Sequence, residues 1–277
     1  MMDANLYPFQ VGDLECVALM DGTNVYKAAA YFPTAPAAEL AEALREHGAT
    51  PDHILSPYTC MAVRTGGEWV LIDTGAGSFV PTTGRLPGAL AAAGISPTDV
   101  ATVIITHAHP DHIGGNLDAD GEVAFPNARW VMWRDEWEFW TSPAALRLPA
   151  AFTNATSKNL PPIAGKLALL DRESEVAPGV FAVPALGHTP GHIVVAVASR
   201  GEELLYISDA VLHPLHLEHP EWQTVFDMDQ PTARESMRQV FDRAADRQCL
   251  VLAFHFDPFP CLGHVARQGS GWRWHAI

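Results

Sequence analysis

Between Thr106 and Gly115 the chain reads THAHPDHIGG, which places three histidines and an aspartate within the six positions His107 to His112. Neutral imidazole nitrogens and carboxylate oxygens are the donors that zinc and similar borderline divalent metals accept, with a position left open for water. Alternate residues such as His107 and His109 can point the same way, while Asp111 and His112 can turn to a neighbouring volume. More donors follow far along the chain. His188 sits in GHTPGH, Asp209 follows the run LLYIS, and His255 follows LVLAF. Each lies just past an apolar run, where a strand hands over to a loop. With thirteen histidines in the chain, chance clustering is the competing explanation for any one piece, and a lone HxH would carry little weight.

Several elements must position these donors. Leu14–Gly22 has the composition of a strand ending in an Asp-Gly turn, and Ala35–Gly48 that of a helix with proline in its first turn and glycine after its end. Thr59–Gly75 reads as two short strands joined at Gly66-Gly67, a hairpin signal. A helix, a turn and a buried strand from Ala101 to Ile105 come next. That strand delivers the histidine motif at its carboxyl end, where ligand sites of α/β sheets lie. ARWVMW suggests a strand and RDEWEFWTS a short helix; Pro143 to Gly165 reads as an irregular, proline-punctuated lid or cap. From Val180 the strands VFAVPA, HIVVAVAS and ELLYISDA precede a helix over Pro231–Asp246 and a last strand, CLVLAF. Two strand-rich halves with outer helices imply two β-sheets packed face to face. Gly114 and Gly115 suit a tight backbone approach beside the motif.

The whole chain, 1–277, reads as one domain of ordinary globular composition, 48% hydrophobic and 18% charged. Its formal net charge of −15, from 32 acidic and 17 basic residues, disfavours nucleic acid and anionic membranes as partners. Cys16, Cys60, Cys249 and Cys261 form no CxxC unit and read as reduced core thiols of a cytoplasmic protein. The start, MMDANLYPFQVGDLECV, lacks the pattern of a secretion signal, and no apolar run reaches the ~18–20 residues of a membrane span. A homodimer through an apolar N-terminal arm or the Pro143–Gly165 segment is compatible with the sequence. No GxSxG elbow is present.

The full set His107, His109, Asp111, His112, His188, Asp209 and His255 strongly resembles the signature of the metallo-β-lactamase superfamily, HxHxDH followed by a distant His, Asp and His. The resemblance runs from about Asp73 to His255. It implies an αββα sandwich of two mixed sheets with helices outside. It further implies two divalent ions, zinc first with iron, manganese or cobalt as alternatives. His107, His109 and His188 would hold one, Asp111, His112 and His255 the other, and Asp209 would bridge both. Asp73, in VLIDTG, would orient a ligand histidine through its free ring N–H, while His192 is structural and Thr189 and Pro190 shape the loop. The implied chemistry is hydrolysis by a metal-bridging hydroxide, with Asp111 also shuttling a proton to the leaving group.

The segments SDAVLHPLHLEHPEWQTVFDMD and HFDPFPCLGHVARQGSGWRW resemble the branch that contains methyl parathion hydrolase and quorum-quenching lactonases. Small esters, lactones or organophosphate triesters are therefore the expected substrates, with an N-acyl homoserine lactonase as the alternative. One departure counts against a dedicated lactonase of the best-known group: those enzymes carry a tyrosine three residues past the bridging aspartate, and here Leu212 stands there. Candidate substrate-wall residues are Trp133, Trp137, Phe139, Leu212 and His213, although the tryptophan spacing from Trp130 to Trp140 equally suits a buried packing stripe. Two competing functions remain. One is a metal-binding regulatory module without turnover, and the other is a cyclic-nucleotide phosphodiesterase, which the scarcity of lysine (Lys27, Lys158, Lys166) disfavours.

Overall fold

In the computed structural model, which describes residues 5–277, fourteen strands form two seven-stranded sheets. Residues 1–4, the beginning of the N-terminal stretch read for a secretion signal, lie outside the described residues. The first sheet runs in chain order: β1 (Leu6–Val11), β2 (Leu14–Lys27), β3 (His53–Thr65), β4 (Glu68–Ile72), β5 (Val100–Ile104), β6 (Arg129–Trp133) and β7 (Leu167–Leu170). Strands β1 to β4 pair antiparallel and β4 to β7 parallel. The second sheet contains β8 (Ser174–Ala177), β9 (Val180–Pro184), β10 (Ile193–Ser199), β11 (Glu202–Ser208), β12 (Leu250–Ala253), β13 (Leu262–Gln268) and β14 (Gly271–Ala276), again in sequential order. Its β11–β12 pair is parallel and the rest are antiparallel.

The parallel pairs need helical crossovers, and the chain supplies them. Helices α1 (Ala28–Tyr31) and α2 (Ala37–Glu46) precede β3, and α3 (Leu86–Ala92) joins β4 to β5. The one-turn α4 (Pro110–Ile113) lies between β5 and β6; α5 (Arg134–Trp140) and α6 (Ala150–Asn159) lie between β6 and β7. Finally α7 (Leu215–Glu218) and α8 (Gln230–Arg247) carry the chain from β11 to β12. Strand β10 shows why its run is apolar without alternation. Ile193, Val195 and Val197 join the main core with Met61, Leu71 and Val103 of the other sheet. Val194 and Ala196 face the opposite way, into a second cluster with Met237, Val240 and Phe241 of α8. No helix among the described residues is long and apolar enough to cross a membrane.

Two sequence expectations are corrected. The strand beginning at Leu14 does not turn at Asp21-Gly22. It continues to Lys27 through a bulge opposite β3, with register shifting between Met20 and Gly22. The reason is Asp21, a fully buried carboxylate that accepts backbone N–H bonds from Ala76, Gly84 and Leu86. The segment Pro143–Gly165 is not irregular throughout, since ten of its residues form α6. The three alanines of α6 favour a helix, but Thr153, Asn154, Thr156, Ser157 and Asn159 weaken that signal, and the packing of Phe152 and Ala155 against the core adds what propensity alone does not. The hairpin at Gly66-Gly67 forms as expected, with both glycines at positive φ (61° and 88°).

Candidate metal centre

The donors converge because five chain segments end or turn at one edge of the sandwich. Strand β5 ends at Ile104, two residues before Thr106, and delivers His107 and His109; α4 then presents Asp111 and His112. The β9–β10 connection carries His188, β11 ends one residue before Asp209, and β12 ends two residues before His255. Two buried groups result: His107, His109, His188 and Asp209 in one, and Asp111, His112 and His255 in the other, the donor atoms within each lying no more than 4.8 Å apart. Asp209 faces both. Its Oδ2 is 3.7 Å from His107 Nε2 and 3.3 Å from both His188 Nε2 and His255 Nε2, while its Oδ1 is 3.2 Å from His112 Nε2.

Second contacts fix which ring nitrogen faces the centre. His112 Nδ1 is 2.9 Å from Asp73 Oδ2, as expected for Asp73. His188 Nδ1 is 2.9 Å from Asp227 Oδ1, and His255 Nδ1 is 2.8 Å from Ser56 Oγ. These partners leave the Nε2 lone pairs turned inward. His192 has a structural role: Nδ1 bonds the Ala185 carbonyl, and Nε2 accepts the backbone N–H of Asp209 at 3.1 Å. Thr106 ties three strand ends together, because its Oγ1 donates to the Asp73 carboxylate (2.8 Å) and lies 2.8 Å from Ser208 Oγ. Asp73 and Ser208 both adopt left-handed backbone angles (φ 59° and 47°), a strain concentrated where the ligand-bearing loops begin. Gly114 and Gly115 leave room for backbone: a Cβ would sit 2.1 Å from Ala76 O and 2.2 Å from Thr74 O.

The electrostatics are those of a site built for cations. Burial, followed by neighbouring imidazoles, holds His107 and His109 well below the ordinary histidine range. Burial also opposes charge on His112, but Asp209, Asp73 and Asp111 outweigh it and raise its pKa. At His188 burial is likewise outweighed, by Asp209 and Asp227, giving a pKa of about 9. Asp209 is held well below its usual value, since His255, His112 and His107 overcome its desolvation. Three buried atoms at the centre, His107 Nε2, His112 Nε2 and Asp209 Oδ1, have no hydrogen-bond partner. Buried polar atoms are normally satisfied, so this set of orphaned lone pairs fits divalent cations.

A cavity of about 350 Å³ opens onto the clusters and is lined by His109, Asp111, Asp209 and His255. Of the candidate substrate-wall residues Leu212 lines it, and Trp133, Trp137, Phe139 and His213 are not among its lining residues. Trp133 is buried in the main core, with Trp137 and Phe139 packed against it. His213 packs edge-on against Phe32 and accepts the Leu215 N–H. The aromatic wall is instead Tyr26, Tyr31, Phe79, Phe152 and Phe226. Phe152 and Phe226 are shared with an adjoining cavity of about 300 Å³ that contains Trp140, Val225 and Met228. Sequence reasoning also missed Glu136, a wholly buried residue of α5 that binds both ligand loops through Ala108, Thr189 and Gly191. A glutamate among tryptophans was its only sequence signal.

Comparison with known proteins agrees with this geometry. The family described as "Metallo-beta-lactamase superfamily" matches residues 53–254. An N-acyl homoserine lactonase of Bacillus sp. is 28% identical over 181 residues, covering 57% of this chain and 66% of that protein. The matched stretch thus spans just under two thirds of that relative's length. Among solved structures, AidC, a dizinc quorum-quenching lactonase in complex with a product, superposes with a TM-score of 0.89 at 27% identity, covering 99% of this chain and 97% of its own. A hydrolase of the beta lactamase superfamily, AbOPH, gives a TM-score of 0.88 at 28% identity, with 100% and 99% coverage.

Proposed function

Since the chain belongs to the metallo-beta-lactamase superfamily, we propose that it is a dinuclear metal-dependent hydrolase of small esters, lactones or organophosphate triesters. The observation that carries this reading is the pair of adjoining buried donor clusters, bridged by Asp209, at the floor of an apolar cavity. In it His107, His109 and His188 would hold one cation and Asp111, His112 and His255 the other, with Asp209 placed to serve both and zinc as the expected metal. When bound, the two cations supply a water of near-neutral pKa and polarise a carbonyl or phosphoryl oxygen.

The chain's own residues do the rest. Asp73, Asp227 and Ser56 orient His112, His188 and His255 through Nδ1, and His192 fixes the backbone of Asp209. Asp111, whose carboxylate borders the cavity, carries a proton to the departing oxygen. Phe79, Phe152 and Phe226 receive the apolar part of the substrate and exclude water from around it. A lactone is favoured within the class by the product-bound lactonase AidC and by the lactonase relatives. A regulatory module without turnover is disfavoured by the cavity that reaches Asp111 and Asp209. One unit over 1–277, a cytoplasmic location suggested by four buried free thiols, and a homodimer complete the reading.

A panel of lactones, aryl esters and phosphotriesters, assayed on metal-replete protein, tests it. Turnover of at least one class is expected, and it should vanish in His109→Ala and Asp209→Asn while both variants stay folded. Full activity in either variant, or no turnover of any class by the wild type, contradicts the proposal.

A further inference from the structure

One hydroxyl on the cavity wall is not used by the donor clusters. Tyr26, near the end of β2, lines the cavity together with Asp111, Asp209 and His255. Its Oη lies 2.5 Å from Tyr58 Oη. Tyr58 is fully buried and packs edge-on against the His255 ring at 5.4 Å between centroids. The Asn24 amide nitrogen donates to Tyr58 Oη at 3.3 Å. The other end of that amide, Oδ1, accepts the Val25 backbone N–H at 2.9 Å, which fixes the amide's orientation.

Counting protons gives the chain a direction. A phenol has one proton to donate and lone pairs to accept with. Tyr58 already accepts from Asn24, and the acceptor its own proton reaches is Tyr26 Oη. A buried O–H that donated to nothing would be penalised. The order is therefore Asn24 to Tyr58 to Tyr26, and the Tyr26 proton is left at the cavity end. Among the described residues no protein acceptor is found for it there. A tyrosine ordinarily ionises near pH 10, so this O–H persists at neutral pH, and accepting from Tyr58 polarises it further. Leu212, in the same wall, offers no donor.

We propose that Tyr26 is a catalytic residue of the hydrolase: its O–H donates a hydrogen bond to the substrate oxygen that gains negative charge during attack. Tyr58 and Asn24 are positioning residues that direct the proton chain toward the substrate. This rests on the hydrolase reading above, and the test separates the two.

The test compares metal-replete wild type, Tyr26→Phe, Tyr58→Phe and the double variant. Phenylalanine keeps the ring contacts of Tyr26 with Tyr31 and Phe226, so the fold and metal content should persist. Tyr26→Phe should lower kcat roughly 10²-fold with KM within about twofold. It should weaken binding of a phosphonate that mimics the tetrahedral centre by a similar factor. Tyr58→Phe should lower kcat about 3–10-fold and have no further effect in the Tyr26→Phe background. An unchanged kcat in Tyr26→Phe, a loss confined to KM, or a full Tyr58→Phe effect in the double variant overturns the proposal. Phosphonate affinity decides even without turnover, since equal binding by wild type and Tyr26→Phe also overturns it. Wild-type inactivity on every substrate overturns the hydrolase reading instead.

Discussion

Replacing Glu136 with glutamine tests how the two loops that carry His107, His109 and His188 are held together. The wild-type carboxylate is fully buried. Its Oε1 accepts the Ala108 N–H at 2.8 Å and the Trp140 indole N–H at 2.6 Å; Oε2 accepts the Thr189 hydroxyl at 2.6 Å and the Gly191 N–H at 2.8 Å. Glutamine offers one acceptor oxygen; Thr189 can turn its hydroxyl to accept from the new NH2 group, but the Gly191 N–H then faces a donor, so one of the four bonds is lost and the other three lose their charge. Hydrogen bonds to a charged group are worth about 1.5–3 kcal/mol each and neutral ones about 0.5–1.5, so one bond lost and three weakened amount to a gross loss of roughly 3–6 kcal/mol. Glutamine escapes the desolvation that pushes the Glu136 pKa upward, which leaves a net loss of about 2–3 kcal/mol. In a chain of this size that lowers Tm by about 3–5 °C. Because these bonds brace three proposed ligands, metal affinity should also fall about 10–100-fold. Thermal unfolding followed by circular dichroism, with competition against a chromophoric chelator, measures both. A Tm within about 1 °C of wild type together with unchanged metal affinity would refute the reasoning.

Removing Ser56 from behind His255 (Ser56→Ala) should weaken metal binding about tenfold, as read by chelator competition, and should lower Tm by a few degrees, because the buried Tyr31 hydroxyl that donates to Ser56 Oγ at 3.0 Å loses its acceptor. Metal removal itself should lower Tm by several degrees, because it leaves His107 Nε2, His112 Nε2 and Asp209 Oδ1 buried without partners; scans with and without added zinc check this. Phe226→Ala should raise KM roughly tenfold for substrates with a long apolar tail and leave short ones nearly unchanged, since one aromatic face is worth about 1–2 kcal/mol. Burial pushes the Cys16 and Cys261 thiols up to about 12 and Cys249 to about 11. A raised thiol pKa leaves little thiolate at pH 8, so the native protein should react slowly with a thiol reagent, faster as pH rises, and fully once unfolded.

The seven donors were legible because metal chemistry restricts both residue type and position. Strand-ending apolar runs before Thr106, Asp209 and His255 showed where each donor would emerge. The two-sheet architecture followed from the same runs. Other features depend on contacts that no local pattern encodes. The bulge at Asp21-Gly22 follows from backbone donors 55 to 65 residues away. Helix α6 has neither strong propensity nor an apolar stripe, so only packing reveals it. The tryptophans of β6 and α5 had the spacing of a wall or a core; burial puts them in or against the core, with Trp140 also reaching the adjoining cavity. The residues that form the wall, Tyr26 with Tyr31, Phe79, Phe152 and Phe226, come from four separate parts of the chain. Glu136 and Asp227 act through single long-range bonds that spacing cannot show.

The central claim is tested most directly by counting and locating metal in the purified, zinc-supplemented protein by elemental analysis and anomalous diffraction. About two ions per chain are expected, one among His107, His109 and His188 and one among Asp111, His112 and His255, with Asp209 touching both. Retention of no ion, or of ions bound only away from these residues, would contradict it.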